Sequence, residues 1–142
     1  MSTILVSLGL ISALISLLSY KLAKNNQFYS DVPLPLLLSG IYVWGDGLVL
    51  GPFWLVSILL WYFLAYSPTQ VFRYFLLFLV IRSAYEIIYW LQHQMLKKDY
   101  IPPLFRRIKW LTAEQHGILY QLLHTVIIVL AISIYLYTLE IN

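Results

Sequence analysis

Four apolar runs constrain what this chain can become. They cover about residues 3–20, 48–66, 71–91 and 113–138, and each reaches the roughly 17 residues that an α-helix needs to cross a hydrocarbon core. A helix pairs its backbone polar groups within itself, which is the condition for standing in lipid. The expected fold is therefore all-α: a polytopic integral membrane protein, one domain over residues 1–142, built as a four-helix transmembrane bundle. Composition agrees. The chain is 61% hydrophobic and 11% charged, against about 45–50% and about 25% in soluble domains. It has no cysteine, which excludes disulfides, zinc-thiolate centres and iron–sulfur clusters.

The connections carry their own signals. Nothing basic precedes the first run, while Lys21 and Lys24 follow it. A secretory signal peptide has the opposite order, so this run reads as a retained helix with its N-terminus outside. Gly9 with Ala13 and Ser12 with Ser16 form two small-xxx-small pairs, suited to close helix packing. Residues 34–66 are almost uncharged but too long for one ordinary span. Gly40, Gly45-Asp46-Gly47 and Gly51-Pro52 interrupt them. Two glycines beside an aspartate disfavour helix. The stretch therefore reads as a short interfacial or re-entrant segment over 34–44, followed by the second span from about Leu48. Ser67-Pro68-Thr69 reads as the turn that ends this span. In the long connection 92–112, Leu104, Ile108 and Leu111 repeat on one helical face, with Arg106, Arg107 and Lys109 on others. Residues 104–111 are thus expected to lie in the headgroup layer, with Phe105 and Trp110 as anchors and the three basic side chains on anionic lipid headgroups. Thr112 to Gln115 matches a helix capping box.

Orientation follows from charge. Four spans put both termini on one side and the connections after the first and third spans on the other. Those two connections hold Lys21, Lys24, Lys97, Lys98, Arg106, Arg107 and Lys109, seven of the nine basic residues. Positive loops stay in the cytosol, so both termini are expected outside, in a plasma or inner membrane. The net charge of +3 sits beside the spans rather than in a soluble basic module, which points to lipid headgroups and away from nucleic acid.

Within the third run, Arg82, Glu86 and His93 fall within roughly 40° of one helical line. A charged side chain inside a span costs on the order of 2.5–3.5 kcal/mol, so something must offset Arg82 and Glu86. Gln121 and His124 reach roughly 12–18 Å into the fourth span at the helical rise. Asp46 stands near the start of the second. All these groups fall in the cytosolic half, and the outer half is aliphatic and aromatic. A conduit would show polar residues along its whole length; a one-sided pattern suits a pocket open to the cytosol or the inner leaflet. The candidate ligand-binding residues are Asp46, Arg82, Glu86, His93, Gln121 and His124. Each has a plainer reading. Arg82 and Glu86 can pair with each other at i, i+4, Asp46 can cap the second span, His93 and His116 can be surface residues, and His124 can make a packing hydrogen bond.

No HExxH or ExxH spacing, G-x-S-x-G, P-loop, dinucleotide fingerprint or EF-hand loop is present. No metal and no cofactor is therefore expected, and no catalytic residue is assigned. The expected function is binding of a lipid or other amphiphile, or service as an accessory subunit. The alternatives are an intramembrane enzyme using carboxylate–histidine acid–base chemistry on a lipid-like substrate, and a proton-coupled carrier. The partners expected are the bilayer and its anionic headgroups, with another membrane protein or a second copy of the chain beside them.

Overall fold

The computed structural model describes residues 2–96, 101, 105 and 108–140. Among these residues the chain forms five α-helices: α1 (Ser2–Lys24), α2 (Leu34–Leu37), α3 (Trp44–Phe63), α4 (Pro68–Met95) and α5 (Ala113–Glu140). Among them the sole β pairing is an isolated antiparallel bridge between Asp31 and Val43. Three helices, α1 from Thr3 onward, α3 and α5, are long and apolar enough to cross a membrane. At 28 residues α4 matches α5 in length, but it carries Arg73, Arg82 and Glu86. The chain divides into two compact units, Met1–Pro68 and Thr69–Asn142.

In the first unit, α1 and α3 meet through small residues. Ser12 and Ser19 of α1 are buried, as are Gly47 and Gly51 of α3. The Ser12 and Ser16 hydroxyls donate to carbonyls of their own helix, Leu8 O at 3.0 Å and Ser12 O at 2.8 Å, so they enter the interface already bonded. A Cβ placed on Gly51 would lie 3.2 Å from the Ser16 backbone, and one on Gly47 would meet the Ser19 hydroxyl. Of the small residues of α1 read from the sequence, Ser16 finds a glycine partner on α3, and Ser19 adds a second.

The three helices of this unit end alike. In each, the backbone N–H groups of two successive residues reach back to carbonyls of the last turn: Asn26 to Ala23 and Gln27 to Leu22, Gly40 to Leu37 and Ile41 to Leu36, Ala65 to Tyr62 and Tyr66 to Trp61. This is the Schellman arrangement, whose pivot residue adopts a left-handed conformation. The pivots are Asn26 (φ 60°), Gly40 (φ 77°) and Ala65 (φ 50°). Asparagine and glycine suit that conformation; alanine pays for it sterically.

The helix of the expected second span starts earlier than its sequence indicates. Helix α3 begins at Trp44, not near Leu48, and runs unbroken through Gly45-Asp46-Gly47 and Pro52 to Phe63. Two effects offset the poor helix propensity of the glycines. The Asp46 carboxylate accepts from the N–H groups of Tyr42 (2.9 Å) and Val43 (3.2 Å) at the helix start, where negative charge also complements the helix dipole. Gly47 permits the close approach to α1. Ser67-Pro68-Thr69 likewise differs: α3 has already ended, and Pro68 is the first residue of α4, a position that needs no N–H.

In the second unit, α4 and α5 run antiparallel and are fastened at both ends. Near the start of α4, Arg73 donates to the Thr138 backbone carbonyl and, at 3.3 Å, to its hydroxyl. That puts a cation at the C-terminal carbonyls of α5, where the dipole favours it. At the other end, Gln94 donates to Glu114 O (3.2 Å) and Gln121 donates to Gln94 Oε1 (3.0 Å). A Cβ on Gly117 would stand 2.7 Å from Gln94 Nε2, so the glycine opens the space this clasp occupies. Buried positions recur every seven residues on both helices, at Leu76, Ser83 and Trp90 and at Gly117, His124 and Ala131, the repeat of a coiled seam. Thr112 and Gln115 form the expected reciprocal cap, at 2.9 and 3.3 Å. Of the expected amphipathic segment 104–111, Leu104, Arg106 and Arg107 lie outside the described residues. Within it, Ile108 N donates to Phe105 O at 2.9 Å, and Lys109 and Trp110 are exposed.

Candidate functional site

The polar centre of the second unit is assembled on one stripe of α4. Arg82 and Glu86, one turn apart, form an ion pair through Oε1 of the carboxylate, and their side chains are only 10% and 9% exposed. One turn further on, the Trp90 indole N–H donates to Glu86 Oε2 at 3.2 Å. Both carboxylate oxygens are therefore bonded by residues of the same helix. The Arg82 guanidinium also lies 5.4 Å from the centre of the Tyr85 ring, a cation–π distance.

Helix α5 closes on this stripe with aromatic rings. Tyr120 is 1% exposed, and its ring lies 5.5 Å from Trp90 and 4.6 Å from His124, centre to centre. His124 is fully buried. From the connection between the helices, Phe105 adds an edge-on contact to Tyr120 at 5.8 Å. Trp90 thus touches Glu86 with its nitrogen and Tyr120 with its ring, and Tyr120 in turn touches His124.

The structure sorts the sequence-predicted residues into three groups. Arg82 and Glu86 pair with each other, and His124 is joined to them through Tyr120 and Trp90. His93 packs at a tilt against Tyr89 (4.5 Å) and Trp90 (5.4 Å), and Gln121 belongs to the Gln94 clasp, so both stand at its helix-end margin. Asp46 is part of the first unit, where it accepts the two backbone N–H groups that open α3. His116 differs from its reading as a surface residue. It is 1% exposed, with Nδ1 at 2.8 Å from Thr112 O and Nε2 at 2.9 Å from Ile108 O, and so ties the chain before α5 to its first turn. Among the described residues no three histidine or acidic side chains are placed to hold a metal ion.

Three participants went unnoticed in the sequence. Trp90 lies four residues after Glu86 and Tyr120 four before His124, and this i, i+4 spacing alone puts each pair within side-chain reach. Gln94 carried no comparable signal, because its partners are on the other helix. Comparison with protein-family models, with curated proteins and with solved structures gives no match for this chain.

Proposed function

We propose that the protein is a small integral membrane protein of four spans, with α4 as the fourth, whose second unit holds the polar head of a lipid or other amphiphile. It would act as a binding protein or an accessory subunit. The observation that carries this reading is the buried Arg82–Glu86–Trp90 string, joined through Tyr120 to the buried His124, where buried charge is otherwise rare among the described residues. A guanidinium is the side chain best matched to a carboxylate or phosphate group, so an anionic headgroup would meet Arg82 beside Glu86. Binding is favoured over acid–base chemistry because both oxygens of Glu86 are already held by Arg82 and Trp90. Native mass spectrometry of the purified protein tests the idea. The wild type should retain an anionic lipid, and the Arg82→Met/Glu86→Leu variant should remain folded and lose it. A folded double variant that keeps every co-purifying lipid ends this reading.

The accompanying topology has both termini outside, the basic connections cytosolic with Arg106, Arg107 and Lys109 on anionic headgroups, and residues 34–44 re-entering the membrane. The support is the distribution of basic residues and the exposure of Lys109 beside Trp110. A cysteine replacing Lys109 in this cysteine-free chain should react with an impermeant maleimide only after the cells are opened. Labelling of intact cells would reverse the orientation.

A further inference from the structure

The chain between α1 and α3 is a hairpin with a closed neck and an anchored tip. Its neck is held by Gly45 N donating to Phe28 O (2.8 Å), Trp44 N to Ser30 O (3.2 Å) and Val32 N to Tyr42 O (3.4 Å), with Asp31 and Val43 bridged between them. Its tip is α2 and the Gly40 turn, where backbone bonds close locally and the Ser39 hydroxyl donates to Leu36 O at 2.6 Å. A long-range bond ties the tip to α3: the Trp54 indole N–H donates to Ser39 O at 2.9 Å.

That bond fixes how far the hairpin descends beside α3. Trp54 follows Trp44 by ten residues, about 15 Å at 1.5 Å per residue. Helical side chains lean toward the N-terminus by about one turn, so the Ser39 carbonyl stands about two turns, roughly 11 Å, inside the start of α3. The four residues from Gly40 to Val43 can return over about 13 Å when extended, enough to climb back to the neck. Irregular backbone survives at such a level only when its polar groups are paired inside the protein, and here the turn carries its own bonds. Ile41 faces inward, fully buried, while Leu38 at the apex is 70% exposed.

We propose that residues 31–43 are a lipid-inserted hairpin, latched at depth by Trp54, whose apex side chain Leu38 contacts the acyl chains of a single leaflet. This rests on the re-entrant reading of residues 34–44 and on α3 crossing the bilayer. It is independent of any ligand in the second unit. Nitroxide labels on Leu38→Cys, Tyr29→Cys and Val56→Cys in phosphatidylcholine vesicles test it through collision with oxygen, which concentrates in the bilayer, and with a nickel chelate, which stays in water. Tyr29 reports the neck, and Val56, exposed about 18 Å along α3, reports the interior. The oxygen-to-nickel ratio at position 38 should be severalfold above that at 29 and below that at 56. Trp54→Phe keeps the aromatic bulk but removes the donor, and should move position 38 toward the value at 29. Equal ratios at 38 and 29, with 56 still deep, would overturn the insertion. A water-like ratio at 56 would instead overturn the spanning of α3 and the hairpin's insertion with it. An unmoved position 38 in Trp54→Phe would overturn the latch.

Discussion

Replacing Glu86 with leucine while Arg82 stays in place should destabilise the second unit by about 3–5 kcal/mol, the usual consequence of leaving one half of a buried ion pair uncompensated. Arg82→Met alone should be of similar size, because the buried carboxylate then loses its guanidinium partner. The double variant should recover much of the loss, since neither charge remains to be buried. Recovery should be incomplete. Trp90 Nε1 loses its Glu86 acceptor, and an unsatisfied buried donor costs about 1–3 kcal/mol. Adding Trp90→Phe should remove that remainder. Unfolding by sodium dodecyl sulfate titration from mild detergent, followed by helicity, would read all four variants. Strictly additive losses for Arg82→Met and Glu86→Leu would mean that the two side chains do not stabilise each other, contrary to their geometry. The same double variant separates scaffold from site: its stability reports the ion pair, and its co-purifying lipid reports binding.

The second large effect belongs to the first unit. Gly51→Leu should weaken the α1–α3 interface by about 1–3 kcal/mol, the range for forcing extra volume into a close-packed site. The reason is what the new Cβ would meet. At 3.2 Å it faces the Cα and N of Ser16, backbone that cannot swing aside, so the helices must separate. Gly9→Ala provides the contrast. Its Cβ would stand 3.7 Å from Ile58 and 3.9 Å from Leu55, both flexible side chains. Removing a glycine from a helix interior is worth about 0.8–1.0 kcal/mol. Gly9→Ala should therefore be neutral or stabilising. If both substitutions proved harmless under the same titration, α1 and α3 would not be in the close contact described.

The residues themselves explain which features could be read in advance. Apolar runs announce helices because length and composition act locally, so helices were expected in all four places. The pairing of Arg82 with Glu86 and the cap formed by Thr112 and Gln115 depend on spacing within one helix, and they too were readable. Boundaries were less so. The two glycines around Asp46 argued against helix, and α3 nevertheless starts before them, because a carboxylate at the helix entry and a serine face on α1 offset a local preference worth only about 1 kcal/mol per residue. The polar centre divides the same way. The Arg82–Glu86 pair follows from i, i+4 spacing, while the link from Trp90 through Tyr120 to His124 crosses between helices. The Asp46 carboxylate accepts the N–H groups of Tyr42 and Val43, a local bond that depth alone does not reveal. What only the tertiary structure decided are the pairings across long sequence separations: Trp54 with Ser39, Arg73 with Thr138, Gln94 with Gln121, Gly51 with Ser16. Each depends on which surfaces of two separate segments meet, helix with helix or, for Trp54, helix with turn, and that is set by the fit of many side chains at once rather than by any spacing within one segment.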